Sequence, residues 1–134
     1  EITFSADIIA GFPTETAEMF KNTISIIDAC KIDWIHVFPY SSRIGTPASK
    51  MPQIPKEEIE KRAEILRKIS NERLKKHLNN KIGSIQKVLV ERNAKGFTED
   101  YSRVSFIQGP EIGKIIEMKI KKQSNHELFG VPIN

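Results

Sequence analysis

Residues 7–15 read DIIAGFPTE, and this stretch decides the fold of the first part of the chain. Residues 7–10 have the continuous apolar character of a strand that is buried on both faces of a parallel sheet. Gly11 and Pro13 end the strand, and Thr16 is a good N-cap for a following helix. The stretch therefore predicts a strand, a tight turn and a helix. Ligands bind at the carboxyl ends of such strands, where glycine lets the backbone approach them, although a Gly-Pro turn can also be a plain connection.

Residues 1–54 predict an α/β fragment with the order strand, helix, strand. The helix is expected at about 17–30 and the second strand at about 33–40, followed by a long loop that is rich in glycine and proline. A complete β/α barrel needs on the order of 250 residues, so this part corresponds to a partial parallel barrel. We expect it to pack on a partner or on further parts of a longer protein. Its open strand edges and apolar faces predict self-association when nothing covers them.

Residues 55–82 predict a long basic helix that connects two domains. Pro55 suits the first helical position, and Asn80 and Gly83 mark the end. Lysine and arginine crowd the predicted exposed face. The predicted buried stripe consists of Ile59, Ala63, Leu66, Ile69 and Leu74.

Residues 83–134 change to a two-residue periodicity that predicts a small antiparallel β-barrel or sandwich. Met118, for example, is flanked by charged residues on both sides. Strands are expected at 85–92, 103–108 and 114–122, within a total of four or five, and turns at 93–96, 109–110 and 124–125.

Charge and cysteine content restrict the partners. The net charge is +4, and the whole basic excess lies after residue 55. This predicts an anionic partner, RNA or DNA, although an exposed lysine-rich helix can also serve solubility alone. The only cysteine, Cys30, cannot form an internal disulfide or hold a metal cluster alone, and we expect it to be buried and inert in a reducing, cytoplasmic compartment. No apolar run is long enough for a membrane span, and we expect no metal ligands in this chain.

Two long motifs resemble one enzyme family. DIIAGFPTET, followed by HVFPYSSRIGTPASKMPQIP, resembles the end of the radical SAM domain of tRNA methylthiotransferases. That family typically shows DIIVGFPGET and then F-x-YS-x-R-x-GTPA, so Thr14 departs from the usual glycine. Residues 83–134, including KVLVERNAKGFTEDYSRVSF, resemble the TRAM domain, a small RNA-binding β-barrel.

The resemblance implies a cofactor site at the two strand ends. The complete enzymes use S-adenosylmethionine and [4Fe–4S] clusters, and the CxxxCxxC run that holds the catalytic cluster does not occur in this sequence. The isolated chain is therefore expected to be inactive and to contain no catalytic residue. Glu15 is expected to fix the turn. The residues implied to border the adenine of the cofactor are Ile9, Gly11, Glu15, Phe38, Tyr40 and Ser41.

The resemblance also implies a substrate and an RNA surface. HVFPYS together with Arg43 is most similar to the subgroup that acts on N6-threonylcarbamoyladenosine beside the anticodon of tRNA. Arg43 has the planar fork that binds a carboxylate, such as that of the threonylcarbamoyl group, and its alternative role is to stabilise the loop. Phe106 is expected in the core. Aromatic and cationic residues interleave at the predicted RNA contacts Lys95, Phe97, Tyr101, Arg103 and Lys114.

Three alternatives remain open at this point. The chain can be a non-enzymatic RNA-binding module. It can instead belong to the methylthiotransferases that act on isopentenyladenosine or to those that act on a ribosomal protein.

Overall fold

The computed structural model describes residues 2–107 and 111–133, and the chain divides into two compact units that meet between Arg73 and Leu74. The predicted turn at Gly109 and Pro110 lies outside the described residues.

The first unit is a two-stranded parallel sheet with helices. Strands β1 and β2 run in the same direction, with Ser5 opposite Trp34 and Ala10 opposite Pro39. Thr16 caps α1 as predicted, since its side chain accepts a hydrogen bond from the Met19 N–H. The elements are β1 (Ser5–Ala10), α1 (Ala17–Ala29), β2 (Trp34–Pro39), a short 3₁₀ helix (Pro47–Lys50) and α2 (Lys56–Asn80), whose last turns belong to the second unit.

Within the described residues only one face of the sheet is covered, so the strands are not buried on both faces and an apolar face is open, as expected for a partial barrel. Ala10 and Ile35 point into a core with Phe20, Ile27 and Leu66. The side chains that alternate with them point away from the helices and are exposed, because no element among the described residues lies on that side. They include Asp7, Ile9, His36 and Phe38.

Cys30 is exposed, which corrects the expectation of a buried thiol. Helix α1 ends at Ala29, and Cys30 is its C-cap. The residue therefore lies beyond the apolar stripe of the helix, and the helical periodicity does not determine its environment.

Helix α2 follows the predicted pattern closely. It begins at Lys56, one residue after Pro55, whose carbonyl accepts hydrogen bonds from the N–H groups of Glu58 and Ile59. Ile59, Ala63 and Leu66 are buried, as the predicted stripe requires.

The second unit is a closed five-stranded barrel with the strand order β3-β4-β5-β7-β6. The prediction of a small closed barrel is confirmed, but the barrel is mixed and not purely antiparallel. The reason is that β7 returns from the β6–β7 hairpin alongside β5 and runs parallel to it, with Val104 opposite Leu128. The strands are β3 (Ile85–Val90), β4 (Lys95–Thr98), β5 (Arg103–Ser105), β6 (Ile115–Ser124) and β7 (Glu127–Pro132).

The barrel interior is apolar and includes Phe106, as expected. Two local predictions require correction. Residues 95–98 form β4, although 93–96 was predicted as a turn. The β6–β7 turn consists of Asn125 and His126, both with positive φ, as a two-residue hairpin of type I′ requires. The buried core residues are Leu78, Val88, Val90, Val104, Phe106, Met118, Ile120 and Leu128.

Candidate functional site

The turn after β1 is fixed by contacts within the first unit. Gly11 has φ +74°, and a Cβ atom placed on it would lie 2.5 Å from Cγ1 of Ile59. The glycine is therefore required for close packing on α2. Its N–H donates a 3.1 Å hydrogen bond to Oε1 of Glu15. The backbone of this turn is thus held before any ligand is considered.

Glu15 connects this turn to a buried arginine on α2. Arg62 Nη1 lies 2.7 Å from Glu15 Oε1 and also donates to the Glu15 carbonyl, while its Nε donates to Glu58 Oε1 at 3.0 Å. The Arg62 guanidinium also lies over the ring of Phe20. Burial by itself lowers the pKa of Arg62, but the hydrogen bonds to Glu15 and Glu58 raise that pKa above its ordinary value.

The arginine was missed at the sequence level. Lysine and arginine were all assigned to the exposed face of α2, yet Arg62 is only 6% exposed. Two features of the sequence could have indicated that Arg62 is buried. It is adjacent to Ala63 of the predicted buried stripe, and Glu58, a possible ion-pair partner, lies four residues earlier. An acidic motif residue such as Glu15 also required a partner if it was to hold a turn.

The two strand ends bring the predicted cofactor residues together. Ile9 lies opposite Phe38 in the register, and each side chain is 51% exposed on the open face of the sheet. Tyr40 follows β2 and places its ring 5.6 Å from that of Phe12, edge to face. Its N–H donates to the Ala10 carbonyl, and Ser41 beyond it is exposed.

These residues fit the kind of group that the resemblance implies. An adenine needs apolar surfaces against its faces, which Ile9 and Phe38 provide, and polar groups at its edge. The Tyr40 hydroxyl is a buried polar group with no hydrogen-bond partner in the described chain. The backbone N–H of Gly11 is not available, because it is bonded to Glu15.

Arg43 lies on the exposed loop after β2. Its backbone carbonyl accepts hydrogen bonds from the N–H and the hydroxyl of Thr46. Within residues 2–107 and 111–133, its guanidinium makes neither an ion pair nor a hydrogen bond. The backbone of Arg43 therefore stabilises the loop, and the side chain is available to an anionic group.

On the second unit, the strand register aligns four side chains across the outside of the barrel. Ile115 lies opposite Leu89, Leu89 opposite Phe97, and Phe97 opposite Arg103. We call these four residues the outer row. Ile115 is 67% and Leu89 is 41% exposed, although a soluble domain normally turns such side chains inward. The row is an apolar strip with an arginine at one end.

Tyr101 extends the outer row. Its ring centroid lies 6.4 Å from that of Phe97, and the side chain is 78% exposed. The structure therefore brings Phe97, Tyr101 and Arg103 together. Lys95 is on β4, two residues before Phe97, and its ammonium lies 3.3 Å from Glu127. Lys114 directly precedes Ile115 of the outer row, is exposed, and pairs with Glu111 at 2.8 Å.

The turn that carries Tyr101 is held from beneath by Asp100. The Asp100 carboxylate accepts hydrogen bonds from the Thr98 hydroxyl and from the Ser102 N–H, at 3.3 Å for the latter. Its Oδ2 lies 2.9 Å from His77 Nε2 and 2.7 Å from Lys81 Nζ. Burial by itself raises the pKa of Asp100, but its hydrogen bonds to His77, Lys81, Thr98 and Ser102 hold that pKa well below its ordinary value.

Among residues 2–107 and 111–133, no group of three or more histidine, cysteine, aspartate or glutamate side chains is placed to hold a metal ion. Over the same residues, no helix has both the length and the apolar character needed to cross a membrane.

Comparison with known proteins identifies the class. The chain matches no protein-family model. Relatives that match over nearly the whole chain are tRNA methylthiotransferases, and the chain aligns with the C-terminal part of those proteins.

Three relatives illustrate the match. Threonylcarbamoyladenosine tRNA methylthiotransferase MtaB of Rickettsia prowazekii is 42% identical over 120 residues, which is 90% of this chain and 28% of the relative. A probable threonylcarbamoyladenosine tRNA methylthiotransferase of Methanocaldococcus jannaschii is 42% identical over 96% of this chain and 30% of the relative. The tRNA-2-methylthio-N(6)-dimethylallyladenosine synthase of Pasteurella multocida is 37% identical over 97% of this chain and 29% of the relative. The chain thus spans less than a third of the length of each of these relatives.

Proposed function

We propose that this chain acts as the C-terminal part of a tRNA methylthiotransferase. Residues 1–54 would form a piece of the radical SAM barrel, residues 55–82 a basic connecting helix, and residues 83–134 the RNA-binding barrel. The observation that carries the proposal is the alignment with named methylthiotransferases over 90–97% of the chain, which includes both units. The reaction would be methylthiolation at C2 of a modified adenosine in cytoplasmic tRNA.

We propose N6-threonylcarbamoyladenosine as the substrate base. The two relatives named for that nucleoside are 42% identical to this chain, compared with 37% for the dimethylallyladenosine synthase. The unpaired guanidinium of Arg43 would bind the carboxylate of the threonylcarbamoyl group in a bidentate manner.

At the strand ends, the chain would contribute one wall of the S-adenosylmethionine pocket. Ile9 and Phe38 would pack against the adenine, Tyr40 and Ser41 would border it, and Gly11 would end the strand beneath it. Glu15, held by Arg62, would keep the turn in place. A bound [4Fe–4S] cluster with S-adenosylmethionine would supply the one-electron chemistry and the methyl group, with cluster ligands from the rest of the enzyme.

The outer row and Tyr101 would bind tRNA. Exposed aromatic rings stack on unpaired bases, and cations contact phosphates. Phe97, Tyr101 and Arg103 supply both kinds of contact within one patch. Lys95 and Lys114 would add positive charge around it.

A tRNA titration at several salt concentrations tests this proposal. Arg103→Ala should weaken binding and flatten the salt dependence by about one phosphate contact, a slope change of about 0.7 for single-stranded RNA. Tyr101→Ala should cost about 1–3 kcal/mol and leave the slope nearly unchanged, because stacking releases no counterions. Tyr101→Phe keeps the ring and should bind like the wild type. Arg67→Ala on α2 is the control for the loss of an exposed arginine. An affinity for tRNA that changes neither with salt concentration nor with Tyr101→Ala would contradict the proposed surface.

A non-enzymatic RNA-binding module is the second candidate, because a closed barrel with an exposed aromatic patch would need no further domain to bind RNA. Sequencing the gene upstream of Glu1 distinguishes the two. An in-frame CxxxCxxC motif supports the enzyme, and a start codon directly before Glu1 supports the module.

A further inference from the structure

Tyr101 occupies a backbone conformation that the chain must enforce. Its φ is +60°, in the left-handed region that residues with a side chain rarely adopt. The turn is closed by hydrogen bonds from the Tyr101 N–H to the Thr98 carbonyl and from the Thr98 N–H to the Ser102 carbonyl, both at 3.0 Å. An exposed aromatic ring on a strained backbone needs a reason for its position.

The support for this conformation comes from a buried carboxylate. Asp100 is only 13% exposed at its side chain, and it joins Thr98 and Ser102 on the two sides of the turn. The carboxylate is itself held by His77 and Lys81, which lie at the end of α2 and just after it. The adjacent side chains of Asp100 and Tyr101 therefore point in opposite directions. Asp100 points inward to His77 and Lys81, and Tyr101 points outward to the solvent.

We propose that Asp100 is a positioning residue for RNA binding: its bonds to Thr98 and Ser102, anchored by His77 and Lys81, hold Tyr101 beside Phe97 so that the two rings form one stacking platform. This inference rests on the proposed tRNA surface. It adds a buried acidic residue to a surface that must bind a polyanion. Attraction to a polyanion would not select a carboxylate there, whereas its hydrogen bonds to both sides of the turn give it a role in geometry.

The direction in which Asp100→Asn changes tRNA binding distinguishes a positioning role of Asp100 from an effect of its charge. Asp100→Asn removes a negative charge, so electrostatics alone would leave tRNA binding unchanged or strengthen it. Loss of the Asp100 hydrogen bonds to the turn instead predicts weaker tRNA binding, because a mobile Tyr101 ring must be ordered each time that tRNA binds. Glu99→Gln is the matched control. Glu99 is the exposed neighbour of Asp100 in the same turn, and the substitution makes the same charge change while the Asp100 carboxylate stays in place.

A double-mutant cycle on the 134-residue chain with labelled tRNA tests the inference. Asp100→Asn should weaken binding about three- to tenfold when Tyr101 is present, and less than about twofold in the Tyr101→Ala background. Glu99→Gln should not weaken binding. Circular dichroism melting of each variant confirms that the barrel is folded at the temperature of the titration.

Each other result decides against the inference. An equal loss in both backgrounds, or no loss in either, would show that Asp100 does not act through Tyr101. If Tyr101→Ala itself has no effect, the proposed RNA surface fails, and the inference fails with it. If the Asp100→Asn variant does not fold, Lys81→Met replaces it in the same cycle with Tyr101→Ala. This substitution removes the Lys81 ion pair of the Asp100 carboxylate, and the same outcomes support or contradict the inference.

Discussion

At the scale of single residues, the backbone conformation explains why particular residues occur in the turn after β1, which the sequence motif alone does not. Gly11 was singled out from the sequence for close approach to a ligand, but the structure assigns its missing side chain to the contact with Ile59. Thr14 stands where related sequences usually have glycine, and it still adopts φ +71°. A local pattern identifies such positions but not the neighbour that imposes them, because Ile59 is distant in sequence.

Thr14→Gly should stabilise the first unit by about 1–2 kcal/mol, because a β-branched residue at positive φ is strained and glycine is not. The fluorescence of Trp34, the only tryptophan, reports unfolding of this unit in urea. Thr16→Ala serves as the control of opposite sign, since it removes the N-cap bond to Met19 and should cost about 1 kcal/mol. A lower urea midpoint for Thr14→Gly would contradict the strain argument.

At the scale of elements, α2 shows where helical periodicity succeeds and where it stops. Its apolar stripe was predicted correctly. The burial of Arg62 and Ser70 on the same side of the helix was not predicted, because each of these polar residues is buried against a specific hydrogen-bond partner. The Ser70 hydroxyl accepts a hydrogen bond from the Ile35 N–H at 2.8 Å and donates to the Ile35 carbonyl at 3.0 Å. Partners that lie far apart in sequence become visible only once the helix is packed.

Arg62→Met should destabilise the first unit by about 3–5 kcal/mol, because it leaves the buried Glu15 carboxylate without its cation. The urea midpoint followed through Trp34 measures the loss. Arg67→Met removes an exposed pair with Glu64 and should change stability by less than about 1 kcal/mol. Similar losses for both variants would show that the buried pair has no special role.

At the scale of the whole molecule, the sequence was sufficient to predict two parallel strands, a long helix and a barrel in that order along the chain. It was not sufficient for strand direction. The antiparallel prediction followed from short strands and turns, but β5 and β7 are not connected by a turn, so their relative direction depends on the path of the chain between them. The patch of Phe97, Tyr101 and Arg103 was predicted as single residues, and only the register showed that they are neighbours.

The open face of the first unit should make the chain associate with itself as its concentration rises. Ile9 and Phe38 expose apolar surface there, and such a patch favours contact between copies. The double variant Ile9→Ser with Phe38→Ser should shift sedimentation velocity profiles toward monomer. Ile107→Ser, at an exposed residue of the other unit, is the control. A wild-type chain that stays monomeric at high concentration would contradict the expectation.

The parallel pairing of β5 with β7 also determines how the second unit assembles in time. The β3–β4, β4–β5 and β6–β7 contacts join strands that are adjacent in sequence, and their short loops close quickly. The pairings of β5 with β7 and of β3 with β6 instead join strands that are not consecutive in the chain. Closure of the barrel is therefore a late, non-local event, and contacts of this kind slow folding. The step that completes the barrel, and not the formation of its hairpins, should limit the folding rate of this unit.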